Sequence, residues 1–137
     1  MSSSGVAVAD ECVNTMMQIK MRKALRYATF KISDDNNTIV VDETGDTSKT
    51  YADFLKALPE ASPRYALVDF DFTTDEGLPQ TKLVSVFWSP DDKAGLRERM
   101  LYASSRDAIQ TKFEGIMPVQ ANGIGELSEP EMLSKVR

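Results

Sequence analysis

Two strand-like runs in the middle of the chain, joined by a short turn, most constrain the fold. Residues 64–72 have the sequence RYALVDFDF, residues 82–88 have the sequence KLVSVFW, and Gly77 lies in the turn between them. Both runs are rich in β-branched and aromatic residues, so they predict an antiparallel hairpin at the centre of a sheet. Asp69 and Asp71 alternate along the first run. We interpret them as a solvated strand face and not as a catalytic carboxylate pair.

Three further strands are predicted from the same kind of pattern. Residues 27–33 and 38–43 flank the turn sequence DDNN, which indicates a second hairpin. Residues 116–120 form a short fifth strand after a helical crossover of about twenty residues, long enough to place it parallel to the fourth strand. The sequence therefore predicts a mostly antiparallel sheet covered by helices.

Four helices are predicted from capping residues and apolar spacing. The first is capped by Asp10 and ends near residue 21, and the second follows a capping box of Thr50 and Asp53. A long helix is expected from the SPDD sequence at residues 89–92 to residue 113, although its apolar residues form no single stripe. The last helix is expected after a capping box of Ser128 and Glu131.

Length and composition limit the number of domains and the classes of function that this chain can have. With 137 residues the chain is expected to form one domain, residues 1–137, with residues 1–9 as a mobile arm. There is no histidine, which removes the commonest general base and metal ligand, and the one cysteine, Cys12, is expected to be a small buried hydrophobe. We therefore expect neither an enzyme nor a metal or cofactor site. A single cysteine and the lack of a signal peptide or apolar span favour the cytoplasm.

The charge is unevenly distributed along an acidic chain. The net charge of −5 argues against a nucleic-acid binder. However, residues 1–31 carry five basic side chains against two acidic ones, and residues 93–113 repeat this ratio. These segments could form a positive face for an acidic partner, or they could be solvated helix faces. The sequence pattern leaves both interpretations open.

Three segments together resemble the actin-depolymerising factor/cofilin family. They are the Ser-Gly-Val start within MSSSGVAVADE, the strand YALVDFDF at residues 65–72, and FWSPD at residues 87–91 followed by MLYASSRDA at residues 100–108. The likeness extends over nearly the whole chain. It implies the actin-depolymerising factor homology fold, an α/β fold of the α+β type. This fold has a five-stranded mixed sheet, mostly antiparallel, with helices on both faces.

The resemblance also implies a function and a set of binding residues. The family binds actin monomers and filament sides, severs filaments and promotes depolymerisation, so we expect a monomeric, cytoskeleton-associated protein. The implied monomer-binding residues are Ser4, Gly5, Val6, Arg97, Arg99, Arg106 and Asp107. Ser4 is also the candidate phosphorylation site, where a phosphate would repel an acidic partner.

The implied filament-side surface is less complete. Lys82 and Lys135 match basic family positions, whereas a neighbouring basic position is Gln80 in this chain. We therefore expect stable decoration of filaments to be weakened. The alternative function is a membrane adaptor that binds phosphoinositides through its basic segments.

Overall fold

The computed structural model describes residues 5–137, which form a six-stranded mixed sheet with helices on both faces. The strands are β1 Ala7–Val8, β2 Leu25–Ile32, β3 Thr38–Asp46, β4 Arg64–Thr73, β5 Pro79–Trp88 and β6 Met117–Ala121. The helices are α1 Asp10–Lys20, α2 Tyr51–Ala57, α3 Leu96–Lys112 and α4 Glu129–Val136, with a short 3₁₀ helix at Ile124–Leu127. The strand order is β1-β3-β2-β4-β5-β6. The two edge pairs are parallel and the three inner pairs are antiparallel.

The two faces of the sheet are covered by different helices. Cys12 and Ile19 of α1 and Ile109 of α3 are buried on one face, against residues of β2 and β4. Phe54 of α2 and Met132 of α4 are buried on the other face. The predicted α+β fold with helices on both faces is confirmed, as is the parallel return of the last strand beside β5.

The predicted strand count of five is corrected to six because the start of the chain joins the sheet. Ala7 and Val8 lie parallel to Thr38 and Ile39 of β3, and the backbone N–H of Ala7 donates to Asn37 O at 2.9 Å. Val6 is only 4% exposed. Residues 6–9 are therefore part of the packed structure, where the sequence predicted an arm outside it. Residues 1–4 of that predicted arm lie outside the described residues.

Two helix starts differ from the prediction. The segment before α3 bonds to the end of β6, with the N–H of Ser89 donating to Ala121 O at 2.9 Å. It forms one isolated turn, in which the N–H of Ala94 donates to Pro90 O at 3.3 Å, and α3 begins only at Leu96. Ala9, not Asp10, is the N-cap of α1.

The two predicted capping boxes have different outcomes. At α4 the capping position is Ser128, but its side chain makes no capping bond. The capping box of Thr50 and Asp53 at α2 is confirmed.

The strand β3 extends three residues beyond its predicted end, because Thr44, Gly45 and Asp46 continue to pair with β2. Gly45, which lies beyond the predicted end of this strand at residue 43, pairs with Tyr27 of β2. A Cβ atom at position 45 would lie 2.2 Å from Cε2 of Tyr27. Only glycine lets the strand continue under this ring.

Cys12 is buried in the core, as the sequence predicted. Its thiol is fully buried and donates a long hydrogen bond to Ile39 O at 3.4 Å. Burial raises its pKa to about 11. The thiol is therefore protonated at neutral pH and packs as a small apolar side chain.

Asp69 and Asp71 have different environments, so the interpretation of a solvated strand face is wrong for one of them. Asp69 is 7% exposed and lies 3.4 Å from the ammonium of Lys23, with its Oδ1 atom unpartnered among the described residues. Asp71 is exposed and accepts hydrogen bonds from Arg26 at 2.9 Å and from Thr81 at 2.6 Å. Burial raises the pKa of Asp69, whereas the hydrogen bond from Thr81 lowers the pKa of Asp71.

We predict that the two carboxyl groups titrate on opposite sides of the ordinary aspartate pKa of about 3.9. The contribution of Asp69 to stability is present at low pH and is lost as pH rises through its raised folded pKa. The contribution of Asp71 is present above the unfolded pKa and is lost as pH falls. Carboxyl-carbon NMR titration measures both values, with Asp69→Asn assigning the higher one. Equal titration midpoints would contradict the structure.

Candidate protein-binding surface

The long helix α3 is fixed to the sheet by two buried tyrosines. Oη of Tyr65, on β4, donates to the backbone carbonyl of Tyr102 on α3 at 2.5 Å. Oη of Tyr102 in turn accepts the backbone N–H of Ile32 on β2 at 2.9 Å. Burial raises the pKa of both phenols, so both hydroxyls are protonated at neutral pH. The helix is therefore held at a defined position on the central strands, with its other face available to a partner.

That outer face carries two apolar side chains that the sequence analysis did not select. Leu96 is 68% exposed and Met100 is 61% exposed. They are four residues apart, so they lie on the same side of the helix. The sequence did hint at them, because the apolar residues of this helix do not all fall on one face and some must therefore lie outside the core. An exposed apolar pair on a rigid helix is typical of a protein-binding surface.

The predicted basic residues of α3 divide into two groups. Arg97 is exposed, and Arg99 is half-buried with its Nε atom unpartnered among residues 5–137. Arg106 is instead held by its own fold: its guanidinium lies 5.4 Å from the centre of the Phe87 ring and donates to Oε1 of Gln120 at 3.2 Å. Arg97 and Arg99 thus flank the apolar pair, whereas Arg106 links α3 to the edge strand β6.

The remaining predicted residues of this surface lie near the start of the chain and on α3. Strand β1 contacts α3, and Val6 belongs to the buried cluster that includes Tyr102 and Ile109 of this helix. Gly5 is exposed with a φ of +76°, but the side chain of Val6 points into the core. Val6 therefore has its side chain against the protein's own core. Asp107 is exposed on α3. Ser4 lies outside the described residues.

A second group of predicted residues lies on the α2/α4 side of the sheet. Lys82 is exposed on β5, on the same face of the strand as the buried Val84 and Val86. Lys135 is exposed on α4, 4.0 Å from Glu131, and Gln80 is exposed on β5. These positions place both predicted lysines on one side of the molecule, away from α3.

The β4–β5 turn and α4 are joined by Arg137, which sequence reasoning did not assign to this role. Its guanidinium donates to the carbonyl of Thr73 from Nε at 3.2 Å and from Nη2 at 2.8 Å. It also lies 3.7 Å from the carboxylate of Asp75. The elements that carry Lys82 and Lys135 are thus connected directly, and the guanidinium of Arg137 lies against the β4–β5 turn at the surface.

Comparison with known sequences matches this chain over almost its full length. The sequence model described as "Cofilin/tropomyosin-type actin-binding protein" matches residues 5–137. The chain belongs to the actin-depolymerising factor/cofilin family. Actin-depolymerizing factor 4 of Oryza sativa is 38% identical over 137 residues, covering 99% of this chain and 98% of that protein. Actophorin of Acanthamoeba castellanii is 37% identical over 135 residues, covering 98% and 96%.

Solved structures of the actin-depolymerising factor/cofilin family have the same fold. The crystal structure of Streptomyces griseoflavus cofilin matches with a TM-score of 0.86 at 34% identity, covering 96% of each chain. Membership of this family favours actin binding over the phosphoinositide-binding adaptor that was the alternative. In residues 5–137, no helix has both the length and the apolar character needed to cross a membrane.

We predict that the two tyrosines contribute unequally to the stability of the family fold. Tyr65→Phe removes one hydrogen bond to a helix carbonyl and should cost about 1 kcal/mol. Tyr102→Phe leaves the buried N–H of Ile32 unpaired and should cost about 2 to 3 kcal/mol. Urea unfolding of both variants measures the difference. A larger cost for Tyr65→Phe would show that the Ile32 amide finds another partner.

We also predict that Arg137 stabilises the β4–β5 turn. Arg137→Ala removes the bonds to the Thr73 carbonyl, so amide exchange at Gly77 and Leu78 should become roughly fivefold faster, corresponding to about 1 kcal/mol. Lys135→Ala removes a cation from the same helix without touching the turn, and it should leave this exchange unchanged. NMR hydrogen exchange measures both. Equal rates in wild type and Arg137→Ala would refute the connection.

Proposed function

We propose that this protein binds actin through two surfaces and thereby promotes the severing and depolymerisation of filaments, without catalysing a reaction of its own. The monomer-binding surface consists of Leu96, Arg97, Arg99 and Met100 with the neighbouring start of the chain. Arg106 supports it by holding α3 to the sheet, and Asp107 lies further along the same helix. The filament-side surface consists of Lys82 and Lys135. In this proposal the chain acts as a single domain and a monomer in the cytoplasm.

The proposal rests above all on the apolar pair Leu96 and Met100 lying exposed between two arginines. Binding energy at protein interfaces is concentrated in a few desolvated apolar and arginine side chains. Arginine pairs bidentately with carboxylates, so Arg97 and Arg99 suit an acidic partner. The buried tyrosines fix α3 before binding, so little ordering is required when the partner docks.

The filament-side surface supports weaker binding. A protein that bridges two subunits gains avidity only if both surfaces engage together. On this side Gln80 is neutral and exposed, and Arg137 is directed toward Thr73 and Asp75. We therefore expect tight monomer binding with less stable decoration of filaments than a relative with a fully basic surface would show.

Regulation at the start of the chain is a further part of the proposal. Strand β1 contacts α3, and Ser4 precedes β1 by three residues in the sequence, so we infer that a phosphate on Ser4 acts on the monomer-binding surface. It would add a charge of roughly −1.5 to −2 facing an acidic partner. Phosphorylation of Ser4 should therefore weaken monomer binding.

We predict that Arg97→Ala combined with Arg99→Ala weakens monomer binding at least about a hundredfold, because two charge-assisted contacts are lost. Fluorescence titration with labelled monomeric actin measures the affinity. The matched control is Lys31→Ala with Lys56→Ala, which removes the same charge from β2 and α2.

Thermal unfolding separates binding from folding in this experiment. Exposed charges such as Arg97 usually change stability by less than about 0.5 kcal/mol, and the half-buried Arg99 makes no ion pair within residues 5–137, so both double variants should unfold near the wild-type temperature. A folded Arg97/Arg99 variant that binds monomers like wild type would refute this surface. An unfolded variant would show that the arginines are structural.

A further inference from the structure

The turn between β4 and β5 projects from the body of the protein and has an acidic and apolar tip. Every residue in the range 75–82 is exposed, on both faces of β5, so no helix covers this end of the hairpin. Leu78 is 63% exposed, and Asp75 and Glu76 precede it in the turn. Asp75 lies 3.7 Å from Arg137, whereas Glu76 makes no ion pair within residues 5–137. Glu76 is therefore available to a cationic partner, with an apolar side chain beside it.

The turn is held in one conformation by its own hydrogen bonds. The N–H of Thr74 donates to Leu78 O at 2.8 Å, and the N–H of Gly77 donates to Thr74 O at 2.9 Å. The N–H of Leu78 donates to Oγ1 of Thr74 at 3.1 Å. Arg137 also bonds to the carbonyl of Thr73, directly before the turn. Because the turn is ordered before binding, little conformational entropy is lost when it docks.

The end of α1 has the opposite charge and a similar apolar character. Met17 is 41% exposed and Met21 is 64% exposed. Lys20 and Arg22 are also exposed, and neither makes an ion pair within the part of the chain that the structure describes. Residues 12–33 contain no aspartate or glutamate, so this charge is not offset by neighbours along the chain. We call Met17, Lys20, Met21 and Arg22 the α1 patch.

The turn and the α1 patch lie at the same end of the sheet. Strands β2 and β4 are antiparallel, with Tyr27 opposite Val68, so the start of β2 lies beside the end of β4. The patch comes directly before β2 in the chain, and the turn comes directly after β4. Lys23, the residue that follows the patch, lies 3.4 Å from Asp69 of β4. The patch is exposed on the side of the sheet that carries α3, whereas the turn extends beyond the end of the sheet.

We propose that two copies of this chain associate through these elements, with the turn of each copy against the α1 patch of the other. A two-fold rotation forms this contact twice, because both elements lie at the same end of one molecule. Leu78 packs against the two methionines, whose flexible side chains adapt to a partner. Glu76 faces Lys20 and Arg22, so the charges across the interface are complementary.

The small size of this interface makes the dimer weak. Seven residues on each copy are fewer than the roughly 20 to 30 of a standard interface, so the dimer forms only at high protein concentration. At low concentration the protein is therefore the monomer that the proposed function requires. The association does not depend on actin binding, so its test uses the full chain alone.

The test combines two charge-reversed variants, and sedimentation equilibrium measures their association up to about 1 mM. Glu76→Lys gives a chain whose turn and patch are both basic, and Lys20→Glu with Arg22→Glu gives a chain in which both are acidic. Each variant alone places like charges at both contacts, so we expect dimerisation to weaken at least about tenfold. An equimolar mixture restores opposite charges at both contacts, so we expect heterodimers with an affinity within about threefold of wild type.

Two further variants and their controls separate the apolar contribution from the charge contribution. Leu78→Ser keeps every charge and should weaken dimerisation at least about fivefold, whereas Ile124→Ser, at a side chain that is 50% exposed elsewhere, should not. Lys56→Glu with Lys93→Glu reverses two charges beside Trp88, at the opposite end of β5 from the turn. This control should dimerise like wild type.

Three results would overturn the inference. A wild-type protein that stays monomeric up to about 1 mM would leave the α1 patch to a different acidic partner. Charge-reversed variants that dimerise like wild type would place the interface elsewhere. A mixture of these variants that stays monomeric would refute the pairing of turn with patch. Thermal unfolding checks each variant, and Glu76→Lys and Leu78→Ser, which lie outside α1, still decide if the patch variant does not fold.

Discussion

The hydrogen bonds that join Tyr65, Tyr102 and Ile32 fix the position of α3, on which the rest of the binding surface depends. A helix can slide or rotate over an apolar sheet face at modest cost, whereas a buried amide needs its acceptor at one place. The two phenols therefore set both the position and the rotation of α3. This rotation turns Leu96 and Met100 toward solvent and Ile109 toward the core.

The basic side chains of this protein serve two different purposes. Arg106 and Arg137 are bonded to the protein's own carbonyl or ring groups, where they hold α3 and α4 to neighbouring strands. Arg97, Lys20 and Arg22 are exposed at helix ends and are not held in this way. A count of positive charges along the sequence cannot separate these purposes. The number of basic residues in these segments is therefore larger than the number of positive charges available to a partner.

Strand and helix types were predictable because they depend on local patterns, whereas several boundaries were not because they depend on distant contacts. The central hairpin and the Thr50 capping box follow from neighbouring residues. The delayed start of α3 depends on Ser89 bonding to Ala121, and β1 depends on pairing with Thr38. The family resemblance supplied Arg97 and Arg99. Only solvent exposure revealed Leu96 and Met100, and only the contacts showed that Arg106 and Arg137 are bonded internally.

The connection from β5 through α3 to β6 has a mechanical consequence. Because α3 is the crossover between two parallel strands, both of its ends are joined covalently to the sheet. A force applied to the outer face of the helix is shared between these attachments and the tyrosine bonds at its middle. Peeling the helix away would require several of them to break together. In the proposed complex, a load on α3 would therefore be carried by β5, β6 and the strands bonded to the two tyrosines together.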